Sequence, residues 1–177
     1  MQRVVFSGGP GAGKTAVLLA LRSRGYPVVE ETARAVIQER RSRGLTPRTN
    51  PLEFATEVLQ RDIAKYREQP PQSDYVFFDR GILDALCMLD RVRLLPQEEL
   101  TALLSTYPYH RQVFFFPPWE LIYANDAEHD QTFTEAKRVH ERLVEWYRRC
   151  GYEMRTVPMV SVAERSEYVL QALGKAA

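Results

Sequence analysis

Short runs of consecutive apolar residues alternate along this chain with longer segments whose apolar positions recur every three or four residues. The runs lie within Arg3-Val4-Val5-Phe6-Ser7, Tyr26-Pro27-Val28-Val29, Tyr75-Val76-Phe77-Phe78 and Gln112-Val113-Phe114-Phe115-Phe116, and the more mixed Tyr152 to Val157 is a fifth strand. Unbroken apolar stretches of this length fit strands buried on both faces. Between them the 3.6-residue period predicts helices. Lys14 to about Arg24 ends at Gly25, and Thr32 to Arg43 is closed by Gly44. Leu45 to Asn50 is a loop. Asn50 then caps a helix from Pro51 to about Arg67, with Pro51 in its first turn and Glu53 at N3. Pro70 to Asp74 breaks it. Helices over Leu83–Arg91 and Pro96–Thr106 follow the third run. Trp119 to Gln131 is polar, aromatic and aperiodic, which predicts a mobile loop. Capping boxes at Thr132…Glu135 and Ser161…Glu164 open a long helix to about Cys150 and a last one closed by Gly174.

Strands separated throughout by helices predict an α/β fold with a parallel sheet covered on both faces, in one domain spanning residues 1–177. Ligands of such sheets sit at the carboxyl ends of the strands. That rim collects the loop after Ser7, Glu30-Glu31, Asp79-Arg80 and the loop after Phe116.

Composition changes little. An apolar fraction of 45% and a charged fraction of 27% are ordinary for a globular chain, and a net charge of +1 with no dense basic stripe argues against a nucleic-acid partner. Cys87 and Cys150 lack metal spacing and are expected to be reduced thiols. No apolar run approaches the roughly 18 residues of a membrane span. The first strand begins at once, leaving no room for a signal peptide, so a cytoplasmic protein is expected.

The chemistry starts at Gly8-Gly9-Pro10-Gly11-Ala12-Gly13-Lys14-Thr15, a G-x-x-x-x-G-K-[ST] motif set between a strand and a helix beginning Ala16-Val17-Leu18. Its glycines let successive N–H groups face one anion, and the following helix adds the partial positive charge of its N-terminus. Lys14 would reach the β/γ-phosphates of ATP, with GTP a possible alternative, and Thr15 would complete a Mg²⁺ shell. At the third strand end, Asp79 would hold a metal-bound water or accept the acceptor's proton, and Arg80 would grip the transferred phosphoryl group. Glu30 or Glu31 would hydrogen-bond the acceptor hydroxyl or act as base; successive strand residues point oppositely, so one of the two faces the site. The motifs that would divert the chain to other classes are missing. Arg80, rather than a water-polarising Glu, follows Asp79; there is no Asn-Lys-x-Asp base reader and no Leu-Ser-Gly-Gly signature.

These residues, with Glu30-Glu31-Thr32-Ala33-Arg34, Asp79-Arg80-Gly81, Asp84, Gly151-Tyr152, Val157-Pro158 and Glu164-Arg165, resemble the P-loop "AAA domain" family that includes the ribosylnicotinamide kinase domain of NAD-biosynthesis regulators. More distantly, the strand-two acid and the Asp-Arg pair are similar to deoxynucleoside and thymidylate kinases. The resemblance implies a nucleoside-kinase-like fold with strand order 2-3-1-4-5, a lid at about residues 117–133 and a small nucleoside-like acceptor. It also implies that Arg165 lies near the adenine. Lid arginines are expected in such kinases, yet residues 117–133 hold none, and Asp126-Ala127-Glu128-His129 stands where relatives read Asp-x-x-Arg. Arg138, on the next helix, is the expected substitute. Arg34 is a candidate phosphate or acceptor contact. Trp119, Tyr123 and Phe133 either stack a ring of the ligand or pack the lid on the body. Two functions follow: a small-molecule kinase using Mg·ATP, or a nucleotide-dependent switch that hydrolyses slowly and reports to a protein partner.

Overall fold

A computed structural model describes residues 1–47, 50–68, 73–123 and 132–174. Five strands, β1 (Gln2–Gly8), β2 (Val28–Val29), β3 (Tyr75–Asp79), β4 (Gln112–Phe116) and β5 (Glu153–Thr156), form one sheet in the order β2-β3-β1-β4-β5. Every pairing is parallel. Six α-helices among the described residues connect them, α1 (Lys14–Ser23), α2 (Thr32–Ser42), α3 (Pro51–Glu68), α4 (Ile82–Val92), α5 (Gln97–Thr106) and α6 (Phe133–Arg149), and α7 (Val162–Ala172) follows the last strand.

The central strands β1, β3 and β4 are largely apolar because both of their faces are covered, whereas the edge strand β5, Glu153-Met154-Arg155-Thr156, is mostly exposed. Val4, Phe6, Phe77, Phe114 and Phe116 pack with Val17, Leu18 and Leu21 of α1 and Val169 and Leu170 of α7. Their neighbours Val5, Val76, Phe78, Val113 and Phe115 point the other way, onto Ala55 of α3, Leu86 of α4, Leu100 of α5 and Tyr147 of α6. Both predicted capping boxes form, at Thr132–Glu135 and Ser161–Glu164.

Two strands are shorter than their apolar runs. Pro27 has no N–H for the ladder, although its carbonyl accepts from Phe77, and the Tyr26 N–H is taken by Leu21 at the end of α1. At the other edge the Tyr152 N–H returns to Tyr147 of α6. No helix among the described residues is long and apolar enough to cross a membrane.

The register sets the rim. Phe6 of β1 lies opposite Asp79 of β3 and Gly8 opposite Phe116 of β4, so the central strands deliver their charged ends together.

Candidate active site

The loop between β1 and α1 turns through left-handed conformations at Gly11 (φ 68°) and Gly13 (φ 77°). Sterics alone favour glycine there, and proximity adds to it. A Cβ on Gly11 would meet the Tyr123 ring at 2.5 Å, and one on Gly13 would lie 2.6 Å from Arg165 Nη1. Pro10, Gly11, Ala12, Gly13, Lys14 and Thr15 line a cradle of about 250 Å³. Lys14 is buried, and its Nζ donates to Gly9 O at 2.9 Å. Burial and the nearby Arg80 cation bring its pKa down to about 8, against the opposing pull of Asp79, Glu31 and Asp84.

Arg80 carries the acidic side of the site. Its backbone, at φ 67°, is the one left-handed non-glycine conformation among the described residues. Arg80 Nε donates to Glu31 Oε1 at 3.1 Å and Nη1 to Asp84 Oδ1 at 2.9 Å. Burial disfavours the guanidinium charge, but Glu31, Asp84 and Asp79 together outweigh it and raise its pKa. Asp84 also accepts from Ser7 Oγ at 2.9 Å and from the Tyr147 hydroxyl at 2.6 Å. That carboxylate therefore joins β1, α4 and α6 around one arginine.

Asp79 accepts from the Thr15 hydroxyl at 3.2 Å through Oδ2, while its buried Oδ1 has no hydrogen-bond partner among the described residues. Burial pushes the Asp79 carboxyl above its ordinary range, against Lys14. A buried carboxylate oxygen left over beside a threonine hydroxyl at the mouth of a phosphate cradle suits a Mg²⁺ ion that takes its remaining ligands from water and phosphate. Among the described residues no cluster of three His, Cys, Asp or Glu could hold a metal ion by itself.

A second, larger cavity of about 510 Å³ opens on the other side of Arg80. Its floor is Glu31, Asp62, Arg80 and Asp84, its walls include Ile37, Phe54, Val58, Met88 and Leu143, and Arg34, Arg91 and Arg142 line it as well. Pro10, Glu31, Arg34 and Arg80 line both this cavity and the cradle, so the two chambers meet there.

The expected site residues divide. Glu31 turns inward, its side chain only 17% exposed beside Arg80, with Arg34 Nε 3.9 Å from its other oxygen. Glu30 turns outward, 74% exposed and paired with Arg22 at 2.8 Å, so the strand-two acid at the site is Glu31 alone. Arg138 is exposed and lines neither chamber; Arg142, one turn further along α6, lines the larger one in its place. Trp119 and Tyr123 do not line the larger cavity. They lie across the phosphate loop, Tyr123 against Gly11 and edge-on to Phe133 at 5.3 Å, and Trp119 under the Arg165 guanidinium at 5.4 Å. Arg165 itself is buried, its Nη1 3.5 Å from the carbonyls of Ala12 and Gly13. Gly8, Gly9 and Ala16 lead into and out of the loop. Asp126 and His129, and most of the expected lid, lie outside the described residues. Cys87 and Leu89 are buried in the core.

Asp62 is absent from the sequence-based list. It is 7% exposed on α3, takes a short hydrogen bond from Thr32 and faces the larger cavity. Burial pushes its carboxyl up to about 7, against the Thr32 bond and Lys65. The spacing Phe54, Val58, Asp62, Tyr66 runs down the buried stripe of α3, so an acid on an apolar helix face was the available signal.

A phosphate cradle at the switch point of a 2-3-1-4-5 sheet defines a P-loop protein of the nucleoside-kinase type of fold. The chain belongs to the family described as an AAA domain, whose model matches residues 3–165. Comparison with curated proteins gives no match. Among solved structures, NadR protein in complex with NR is 18% identical with a TM-score of 0.70 over 99% of this chain, which spans 52% of that one. Deoxyadenosine kinase from M. mycoides with bound dATP is 12% identical, TM-score 0.64, over 99% of this chain and all of the other. Thymidylate kinase from Ehrlichia chaffeensis is 14% identical, TM-score 0.64, over 97% and 98%. Identities this low establish a shared fold.

Proposed function

We propose that this chain is a phosphotransferase that moves the γ-phosphoryl group of Mg·ATP to a hydroxyl of a small, nucleoside-like acceptor. The observation carrying this reading is the junction of two chambers, a phosphate cradle and a roomier cavity, at Glu31, Arg34 and Arg80. A hydrolase needs only the first chamber. The names of similar structures, a deoxyadenosine kinase with dATP bound and a thymidylate kinase, point the same way.

In this reading the loop amides and Lys14 hold the β- and γ-phosphates, Lys14 exchanging Gly9 O for phosphate oxygen. Thr15 and Asp79 would hold Mg²⁺, which when bound supplies charge to offset that of the phosphates. Glu31 takes the proton of the attacking hydroxyl. Arg80, fixed from both sides, stabilises charge on the transferring group. Arg165 and Trp119 flank the nucleotide side. A second reading, a nucleotide-dependent switch with slow hydrolysis, is favoured by one observation, the lack of arginine in residues 117–133.

Mass spectrometry of mixtures of the protein, Mg·ATP and a panel of nucleosides, nucleotides and nicotinamide riboside separates the two. A phosphorylated acceptor is expected; nucleotide binding with slow release of inorganic phosphate alone would establish the switch. Asp79→Asn is expected to lower transfer by about 10²–10³-fold with the fold intact. Wild-type turnover in that variant would remove Asp79 from its role.

A further inference from the structure

The larger cavity has a cationic end that the transfer chemistry at Glu31 and Arg80 leaves unused. Arg91, in the last turn of α4, and Arg142, on α6, both line it, and neither has a hydrogen bond or ion pair among the described residues. The other two arginines of the cavity differ: Arg80 is held by Glu31 and Asp84, and Arg34 lies beside Glu31. Arg91 lies one turn beyond Cys87 on α4, and Cys87, Arg91 and Arg142 line the same cavity. Asp90, next to Arg91 in sequence, is already bonded to Arg149 and to the Leu95 N–H. From Asp84 to Arg91 α4 climbs about 10 Å, at roughly 1.5 Å per residue, with apolar Met88 on the wall between.

We propose that the acceptor is itself an acid: a small molecule whose hydroxyl lies beside Glu31 while its carboxylate or phosphate, at the opposite end, seats on Arg91 and Arg142. This rests on the phosphotransferase reading above. Planar guanidiniums match carboxylate and phosphate oxygens in pairs, and an apolar wall makes such contacts stronger than in open water. In the transfer the acceptor's hydroxyl oxygen bonds to the γ-phosphorus as the β–γ bridging P–O bond breaks. ADP leaves, the hydroxyl proton passes to Glu31, and the distal acid is unchanged.

Matched acceptors test this with the full chain. Uridine against orotidine adds one carboxylate to the ring, and ribose against ribose 5-phosphate adds one phosphate, so the two pairs also distinguish the source of the anion. Transfer from Mg·ATP and equilibrium binding by calorimetry are measured for all four. The acidic member of at least one pair is expected to show a kcat/KM at least tenfold higher. Arg142→Ala should raise its KM about tenfold with less than a threefold change in kcat, Arg142→Lys should recover part of the loss, and Arg91→Ala should act in the same direction. Equal handling of both pairs, preference for the neutral members, or an unaltered KM in both alanine variants overturns the proposal. If no compound is phosphorylated but the acids bind in an Arg142-dependent way, the kinase reading falls and the anion site stands. If nothing is phosphorylated and nothing binds, the anion site falls too.

Discussion

Asp62 offers a measurable consequence of burying an acid in a binding cavity. The unfolded chain gives up this proton near pH 4, whereas the folded protein holds it to about pH 7. Stability from the protonated carboxyl is therefore complete below pH 4, and it drains away as pH rises through 7, by about 1.4 kcal/mol per pH unit. A displacement of about 3 pH units corresponds to about 4 kcal/mol, an upper bound that local water reduces. Asp62→Asn keeps the shape and an oxygen to accept from Thr32, but has no proton to lose. The variant should thus exceed the wild type by about 1–2 kcal/mol at pH 5 and about 2–4 kcal/mol at pH 8. In a domain of this size that is a gap of roughly 5–15 °C in Tm at pH 8. Thermal unfolding by circular dichroism, at constant ionic strength from pH 5 to 8, reads it directly. A gap that does not widen with pH, or a variant less stable at pH 8, would refute the argument. The same variant should bind the acceptor more weakly, since the carboxyl faces the cavity.

Three other outcomes are expected. Glu31→Gln should lower kcat by about 10²-fold, with a smaller effect on the KM for ATP, because the amide can still accept from Arg80 but can take no proton; kinetics near wild type would assign the base elsewhere. With the Lys14 pKa at about 8, triphosphate binding at pH 8 should take up about half a proton, and far less at pH 6.5. Calorimetry in two buffers of different ionisation enthalpy measures this, and Lys14→Met should abolish it. Gly13→Ala should cost about 1–3 kcal/mol in unfolding experiments, since it combines a left-handed backbone with a clash against Arg165.

The phosphate loop was legible in the sequence because its requirements are local: glycines for the turn, a lysine and a threonine at the helix start. The strand order followed from resemblance, and the rim from the rule that parallel strands deliver ligands at their carboxyl ends. The choice between Glu30 and Glu31 was not legible. It depends on how a two-residue edge strand turns into α2, and neither residue carries a pattern of its own. Arg138 and Arg142 share a helical face one turn apart, and only the crossing of α6 over α4 decides which one reaches the cavity. Pro27 was a visible reason to shorten β2. Asp84 was visible only as part of a motif; its partners Ser7 and Tyr147 come from strands and helices 77 and 63 residues away.

The way Asp84 is occupied has a dynamic consequence. Its two oxygens are shared among a serine, a tyrosine and a guanidinium contributed by different layers of the molecule, so Arg80 is moored and cannot swing far without uncoupling a strand from two helices. Whatever travels during turnover must then be the phosphates and the acceptor, converging on a stationary cation, and loosening Tyr147 on the neighbouring helix α6 should be felt as a slower chemical step rather than as weaker binding.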